Sequence, residues 1–243
     1  MNKMSITDTQ RPTAAYVERR GRLETYFDRT ALDAWTQLTS DAPVSRIRAT
    51  VRAGRDSMRD TLLSWLPQDM RTTSLFDAGC GTGALSVAAA RRGARVTGVD
   101  VSASLIELAH ERAPKDVAPG SLDFGVGDMF DRRFGRFDYV VAMDSLIHYP
   151  SAEILRVLGA FAARTDRAIL FTFAPQTPAL SLMHAAGKLF PRADRAPAIE
   201  PVSEAAIRRG IAASDSFAGW SIGRSARISS GFYMSHAMEL VRA

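Results

Sequence analysis

Between Ser74 and Ala174 short apolar runs alternate with amphipathic ones, and this rhythm restricts the fold more than any other feature of the chain. SLFDAG is followed by ALSVAAARRG and ARVTGVD by ASLIELAHERA; SLDFGVGD leads to FDYVVAMD, and SAEILRVLGAFAAR runs into RAILFTFA. The shorter runs have the length of strands, whereas the longer ones carry apolar residues at helical spacing. Strands alternating with helices build a parallel sheet with helices on both faces. A helix expected near 203–213 and two closing strands, FAGWSIGRSA and FYMSHAMELVRA, complete an α/β fold with a seven-stranded, mostly parallel sheet. Upstream, residues 12–66 read as helical, with Val44, Ile47, Val51, Met58, Leu62 and Leu66 near one face and Pro67 as the stop. The expected organisation is a helical arm capping the substrate (1–70) and a ligand-binding domain (71–243) interrupted by a lid (176–200).

The first strand runs into FDAGCGTG, with glycines at 79, 81 and 83. Glycine loses the most backbone freedom on folding, so three in five positions imply a main chain that something must approach closely. In an open parallel sheet the turn after the first strand lies at the ligand-binding edge, and helix-start N–H groups receive polar or anionic atoms. ARVTGVD ends the second strand at Asp100, where a carboxylate can accept hydrogen bonds from ribose hydroxyls. The order strand, glycine loop, helix, strand, acid therefore points to a nucleotide-type ligand. The spacing Gly79-x-Gly81-x-Gly83 departs from the G-x-G-x-x-G of dinucleotide binders, which argues against a nicotinamide dehydrogenase.

Bulk properties narrow the partners. No apolar stretch reaches the roughly 18 residues that span a bilayer, and the polar first ten residues lack a signal-peptide core, so a cytoplasmic protein is expected. Cys80 is the sole cysteine, which excludes internal disulfides and multi-cysteine metal sites. His110, His184 and His236 show no metal-ligand spacing, so no metal site is expected. The net charge of +5 favours anionic partners. All but three of the 31 basic residues are arginine, spread along the chain and not gathered with interleaved aromatics, which argues against nucleic acid.

D-x-G-x-G-x-G, from Asp77 to Gly83, resembles the first motif of class I S-adenosylmethionine-dependent methyltransferases, a Rossmann-like family, and the resemblance covers residues 74–175. It implies S-adenosylmethionine as cofactor and S-adenosylhomocysteine as product. Asp77 and Gly79 would hold the amino-acid end, Asp100 with Val101 the ribose, and Asp128 the adenine amine. Met129 would flank the ring, Gly81 and Gly83 shape the loop, and Met143 sit where the fourth strand ends beside the methionine moiety. Three further stretches, MDSLIHYP (143–150), TYFDRTALDAW near the amino end and KLFPRADRAP in the lid, resemble the magnesium-protoporphyrin IX methyltransferase family. That resemblance implies transfer of a methyl group to one propionate of a magnesium porphyrin in chlorophyll or bacteriochlorophyll synthesis. It also implies handover from the large subunit of magnesium chelatase, near a photosynthetic membrane that the arginine-rich amino-terminal helices would contact peripherally.

A porphyrin is a flat apolar disc carrying two carboxylates, and needs an apolar slot with cations at its mouth. Tyr26, Phe27, Trp35, Tyr149, Leu180, Met183, Leu189 and Phe190 offer the slot; Lys188, Arg192 and Arg195 offer the cations. A propionate is ionised at neutral pH, so no general base is required, and alignment of a weak nucleophile is the task. His148 or Tyr26 is therefore expected to hydrogen-bond the non-attacking oxygen, with axial ligation of magnesium by His148 disfavoured by the ion's preference for oxygen. The residues themselves leave open another small acceptor (a phenol, a quinone precursor, a fatty acid) and, more remotely, an RNA or protein methyltransferase.

Overall fold

The structure is a computed structural model and describes residues 11–30, 39, 45–176 and 198–243. Five parallel strands, β1 (Ser74–Ala78), β2 (Arg95–Asp100), β3 (Ser121–Val126), β4 (Phe137–Ala142) and β5 (Thr165–Phe173), form most of one sheet. Two strands, β6 (Trp220–Ser230) and β7 (Tyr233–Arg242), complete it, β7 running antiparallel to both β5 and β6, in the order β3-β2-β1-β4-β5-β7-β6. The order reverses between β1 and β4, which opens a crevice at their carboxyl ends.

Among the described residues the helices are α1 (Ala14–Thr25), continued by a wide π turn over Tyr26–Thr30, then α2 (Arg46–Trp65), α3 (Ala84–Arg91), α4 (Ala103–Arg112), α5 (Ser151–Ala162) and α6 (Glu204–Ala212). Side-chain caps start several of them: Thr13 accepts from the Tyr16 amide at 3.0 Å and Ser102 from the Leu105 amide at 3.1 Å. α3 has no such cap and begins at Gly83 in a left-handed conformation.

Strand periodicity sorts the core into two layers. Phe76, Val140, Ile169 and Phe171 pack on one face against α1, α5 and α6, while their neighbours Leu75, Val141, Ala168 and Leu170 pack on the other against α2 and α3. Met58, Leu62, Leu63 and Leu66 are in that second layer, so the end of the arm expected over residues 1–70 is built into the domain core. Ile47, expected on the apolar face of α2, is 55% exposed, and Val44 lies outside the described residues. Most of the expected lid, residues 177–197, is likewise outside them.

Candidate active site

The carboxyl ends of β1, β2 and β4 open into a cavity of about 610 Å³, within the range that small-molecule sites occupy. Gly79, Gly81, Asp77, Asp100, Val101 and Met129 line it, and so do Met143, Ser145, His148, Tyr149, Tyr26 and Phe27. Two elements far apart in sequence thus share one wall with the glycine loop: the short 3₁₀ turn Leu146–His148 after β4, and the π turn after α1.

The glycine loop works differently from the sequence expectation. Gly79 has φ +79°, and a Cβ there would stand 2.4 Å from the Ser145 Cβ. Gly83 also has φ +79°, with the Phe124 ring 2.6 Å from its would-be Cβ. Both glycines make room for a neighbouring side chain; Gly79 also lines the cavity and Gly83 does not. Nor are the loop amides waiting for an anion. Gly79 and Cys80 donate to the Val99 carbonyl at 2.7 and 3.1 Å, Gly83 to the Cys80 carbonyl at 3.0 Å, and Gly81 to Asp100 Oδ2 at 2.9 Å. Their role is to lock β1 to β2 so that Asp77 and Asp100 stand at fixed places.

Both acids are buried. Asp77 accepts a 2.6 Å hydrogen bond from the Ser86 hydroxyl, yet burial, with a smaller contribution from the Asp100 charge, pushes its carboxyl up to about 7. Asp100 takes one amide on each oxygen, Gly81 on Oδ2 and Ser102 on Oδ1 at 3.0 Å. Burial raises its pKa too, against the pull of those amides. A carboxylate has about four lone-pair sites, so Asp100 can accept from a vicinal diol beside these amides. Cys80 shares the wall, and burial holds its thiol well above the ordinary value, so it is no nucleophile at neutral pH.

Asp128 departs most clearly from expectation. Oδ1 accepts from the Tyr16 hydroxyl and the Phe130 amide, both at 2.9 Å, and Oδ2 from Arg20 at 2.7 Å. It does not line the cavity; its neighbours Gly127 and Met129 do. Its carboxylate fastens α1 to this stretch of chain. Arg164, buried over the Phe76 ring at 4.6 Å, secures the same stretch by donating to the Met129 and Asp131 carbonyls.

Tyr26 and Phe27 stand on the cavity wall as expected, edge to face at 5.2 Å. Tyr149 borders the cavity but is 2% exposed and stacks on Tyr16 at 5.0 Å, so packing is its main work. His148 lines the cavity, with Nδ1 donating to the Ala198 carbonyl at 3.3 Å. Arg19 of α1 clasps the same turn, donating to the His148 carbonyl at 2.7 Å and to Glu200 at 2.8 Å. Trp35, Met183, Lys188, Phe190 and Arg192, with Leu180, Leu189 and Arg195, lie outside the described residues.

Several residues at the wall or just behind it lie outside the sequence expectation. Asp28, just after α1, accepts from the Ser102 hydroxyl at 2.6 Å and the Ser104 amide at 3.2 Å, beside Asp100. The Ser145 hydroxyl is buried without a hydrogen-bond partner, on the cavity wall next to Gly79. Arg52, Arg55 and Arg59 of α2 line the cavity as well. Their three- and four-residue spacing was the available signal, since it sets all three on one helix face.

The carboxyl-terminal part, residues 142–242, matches a family model described as magnesium-protoporphyrin IX methyltransferase C-terminus, and residues 75–166 match a general methyltransferase domain. The chain is 48% identical to a magnesium-protoporphyrin O-methyltransferase of Rhodobacter capsulatus, over 92% of this chain and 97% of that one. It is 31% identical to the Synechocystis enzyme of the same name, over 95% of this chain and all of the relative. The crystal structure of magnesium protoporphyrin IX methyltransferase from Synechocystis with bound S-adenosylhomocysteine superposes with a TM-score of 0.79, covering 92% of this chain and 99% of that one. A geranyl diphosphate C-methyltransferase from Streptomyces coelicolor, 15% identical with a TM-score of 0.66, shares the fold.

Proposed function

This chain belongs to the magnesium-protoporphyrin O-methyltransferase family, and from that premise we propose that it esterifies one propionate of magnesium protoporphyrin IX, using S-adenosylmethionine, in chlorophyll or bacteriochlorophyll synthesis. The observation that carries the reading is the single cavity in which the glycine loop and Asp100 meet Tyr26 and His148. The residues present suit the cofactor. Asp77 and the unpartnered Ser145 hydroxyl offer an anion and a polar atom to its amino-acid end; Asp100, with Val101, suits the ribose, and Gly127 and Met129 the adenine. When bound, S-adenosylmethionine supplies an electrophilic methyl group on a sulfonium.

The protein's share of the chemistry is orientation. The acceptor carboxylate is already ionised at neutral pH, so no residue needs to remove a proton. A donor on the attacking oxygen would weaken it, whereas a donor on the other oxygen fixes its direction. Tyr26 carries such a donor. His148 has Nδ1–H committed to the Ala198 carbonyl, so the neutral ring presents Nε2 as an acceptor, and only the doubly protonated ring donates to a carboxylate. Apolar walls from Leu23, Phe27 and Ile147 keep water from the nucleophile.

Labelled cofactor mixed with the porphyrin, a phenol and a fatty acid tests the substrate directly: the label should appear only as a porphyrin monoester. For orientation, Tyr26→Phe should lower turnover at saturating porphyrin by about 10²-fold without altering cofactor affinity; wild-type turnover would remove Tyr26 from the mechanism. Membrane contact and handover from the chelatase large subunit belong to the same reading. Family membership supports the handover, and Ile47 and Phe232, 55% and 64% exposed, give a basic chain apolar points for a bilayer surface. No helix among the described residues is long and apolar enough to cross a membrane. Failure to pellet with acidic liposomes at low salt would exclude the surface contact.

A further inference from the structure

α2 carries a row of guanidinium groups that the orientation of one carboxylate does not use. Arg52, Arg55 and Arg59 all line the cavity. Arg55 Nη1 lies 3.1 Å from Asp144 Oδ2, and Asp144, just past the end of β4, is held from every side. Tyr233 donates to both its oxygens at 3.0 and 3.1 Å, and Ser235 and Thr172 reach Oδ1 at 3.2 and 3.3 Å. Its backbone sits at φ +55°, a conformation costly for a residue with a Cβ and kept only where the surroundings fix it. A buried carboxylate so constrained holds the Arg55 guanidinium in one place, and a guanidinium has five N–H donors in a planar fork. Arg59 is steadied in turn by Asp56 at 2.9 Å. Phe232 in the turn between β6 and β7 and Met234 at the start of β7 line the same cavity, which adds an apolar wall to the cations.

We infer that this row recognises the second, unreacted carboxylate of the porphyrin and thereby limits the enzyme to a monoester, an inference that rests on the substrate reading above. The substrate has two carboxylates, one at the methyl donor and one that remains anionic throughout. The product has one. To react again it would have to reverse, presenting its remaining carboxylate to the donor and its neutral ester to the arginines. An ester accepts hydrogen bonds weakly and carries no charge, so the charge-assisted bonds that fix the diacid are lost in that pose. Rejection of a second turnover is a loss of binding energy on the α2 side and needs no steric block.

The test compares wild type with Arg52→Gln and Arg55→Lys, the latter keeping the charge opposite Asp144 so that the fold is not put at risk. Binding of magnesium protoporphyrin IX, its monomethyl ester and its dimethyl ester is followed by quenching of tryptophan fluorescence, and products are separated after long incubation. Wild type should bind the diacid, and the monoester in its product pose, about tenfold or more tighter than the dimethyl ester. Arg52→Gln should shrink that gap to about threefold and let diester accumulate, while cofactor affinity stays unchanged; Arg55→Lys should fall between, because an ammonium lacks the fork. An undiminished gap in both variants, or equal binding of diacid and dimethyl ester by wild type, overturns the inference while leaving the substrate reading intact. Absence of any porphyrin ester from wild type removes the substrate reading, and the inference falls with it.

Discussion

Replacing Gly79 by alanine asks whether the glycine loop is shaped by the ligand or by the protein. At φ +79° an alanine bears the left-handed penalty of about 1–2 kcal/mol. Its Cβ would also stand 2.4 Å from the Ser145 Cβ, far inside contact distance, and such overpacking adds about 1–3 kcal/mol. The sum, about 2–5 kcal/mol, corresponds to a fall in melting temperature of roughly 4–20 °C for a chain of this size. The decisive comparison is made without cofactor, by thermal and urea unfolding of Gly79→Ala, Ser145→Gly and the double variant. Ser145→Gly removes the opposing Cβ, so the double variant should recover the packing part, about 1–3 kcal/mol beyond additivity, and keep the backbone part. Wild-type stability of cofactor-free Gly79→Ala, with only its cofactor affinity reduced, would refute the argument and return the glycine to the ligand. Strict additivity in the double variant would refute the steric half alone.

Other consequences follow from the same wall. Asp77, raised to about 7 by burial, holds its proton more tightly in the folded than in the unfolded chain. Its contribution to the stability of the cofactor-free protein is therefore fully present below about pH 4 and is lost as pH rises through about 7. Cofactor affinity runs the opposite way, because a cationic ligand needs the carboxylate: calorimetry should show it about tenfold weaker at pH 6 than its plateau above pH 7, and Asp77→Asn should flatten that dependence. Ser145→Ala removes a buried, unpartnered hydroxyl, so the midpoint of urea unfolding should hold or rise, while cofactor affinity drops about 3- to 10-fold. Tyr16→Phe takes one donor from Asp128 while Arg20 and the Phe130 amide remain; it should cost about 1–2 kcal/mol and raise amide exchange across α1 before the sheet responds.

Much of the architecture was legible because it is written in local periodicity. The strands of the sheet, α3 to α5 and the closing helix fall where the apolar spacing places them. Asp77 and Asp100 were legible as well, since each sits at a strand end beside a glycine turn. The reasons given for the glycines were not legible. Whether a missing Cβ makes way for a ligand or for a neighbour depends on which side chain stands opposite, and Ser145 and Phe124 are 66 and 41 residues away in sequence. Asp128 was placed by analogy at the adenine, whereas Tyr16 and Arg20, 112 and 108 residues upstream, take its oxygens.

The sequence by itself determined the alternation of elements, the two-layered core and the acids at the strand ends, because these depend on residue type and spacing along a few turns of chain. Only the tertiary structure decided what faces the cavity. The amino-terminal helices contribute Tyr26, Phe27 and the α2 arginines to a wall whose other half comes from the ends of β1, β2 and β4. Side-chain direction across a crevice is set by long-range packing, which carries no periodic signature, so a row of arginines reads on paper as a solvated helix face and in space lines the site.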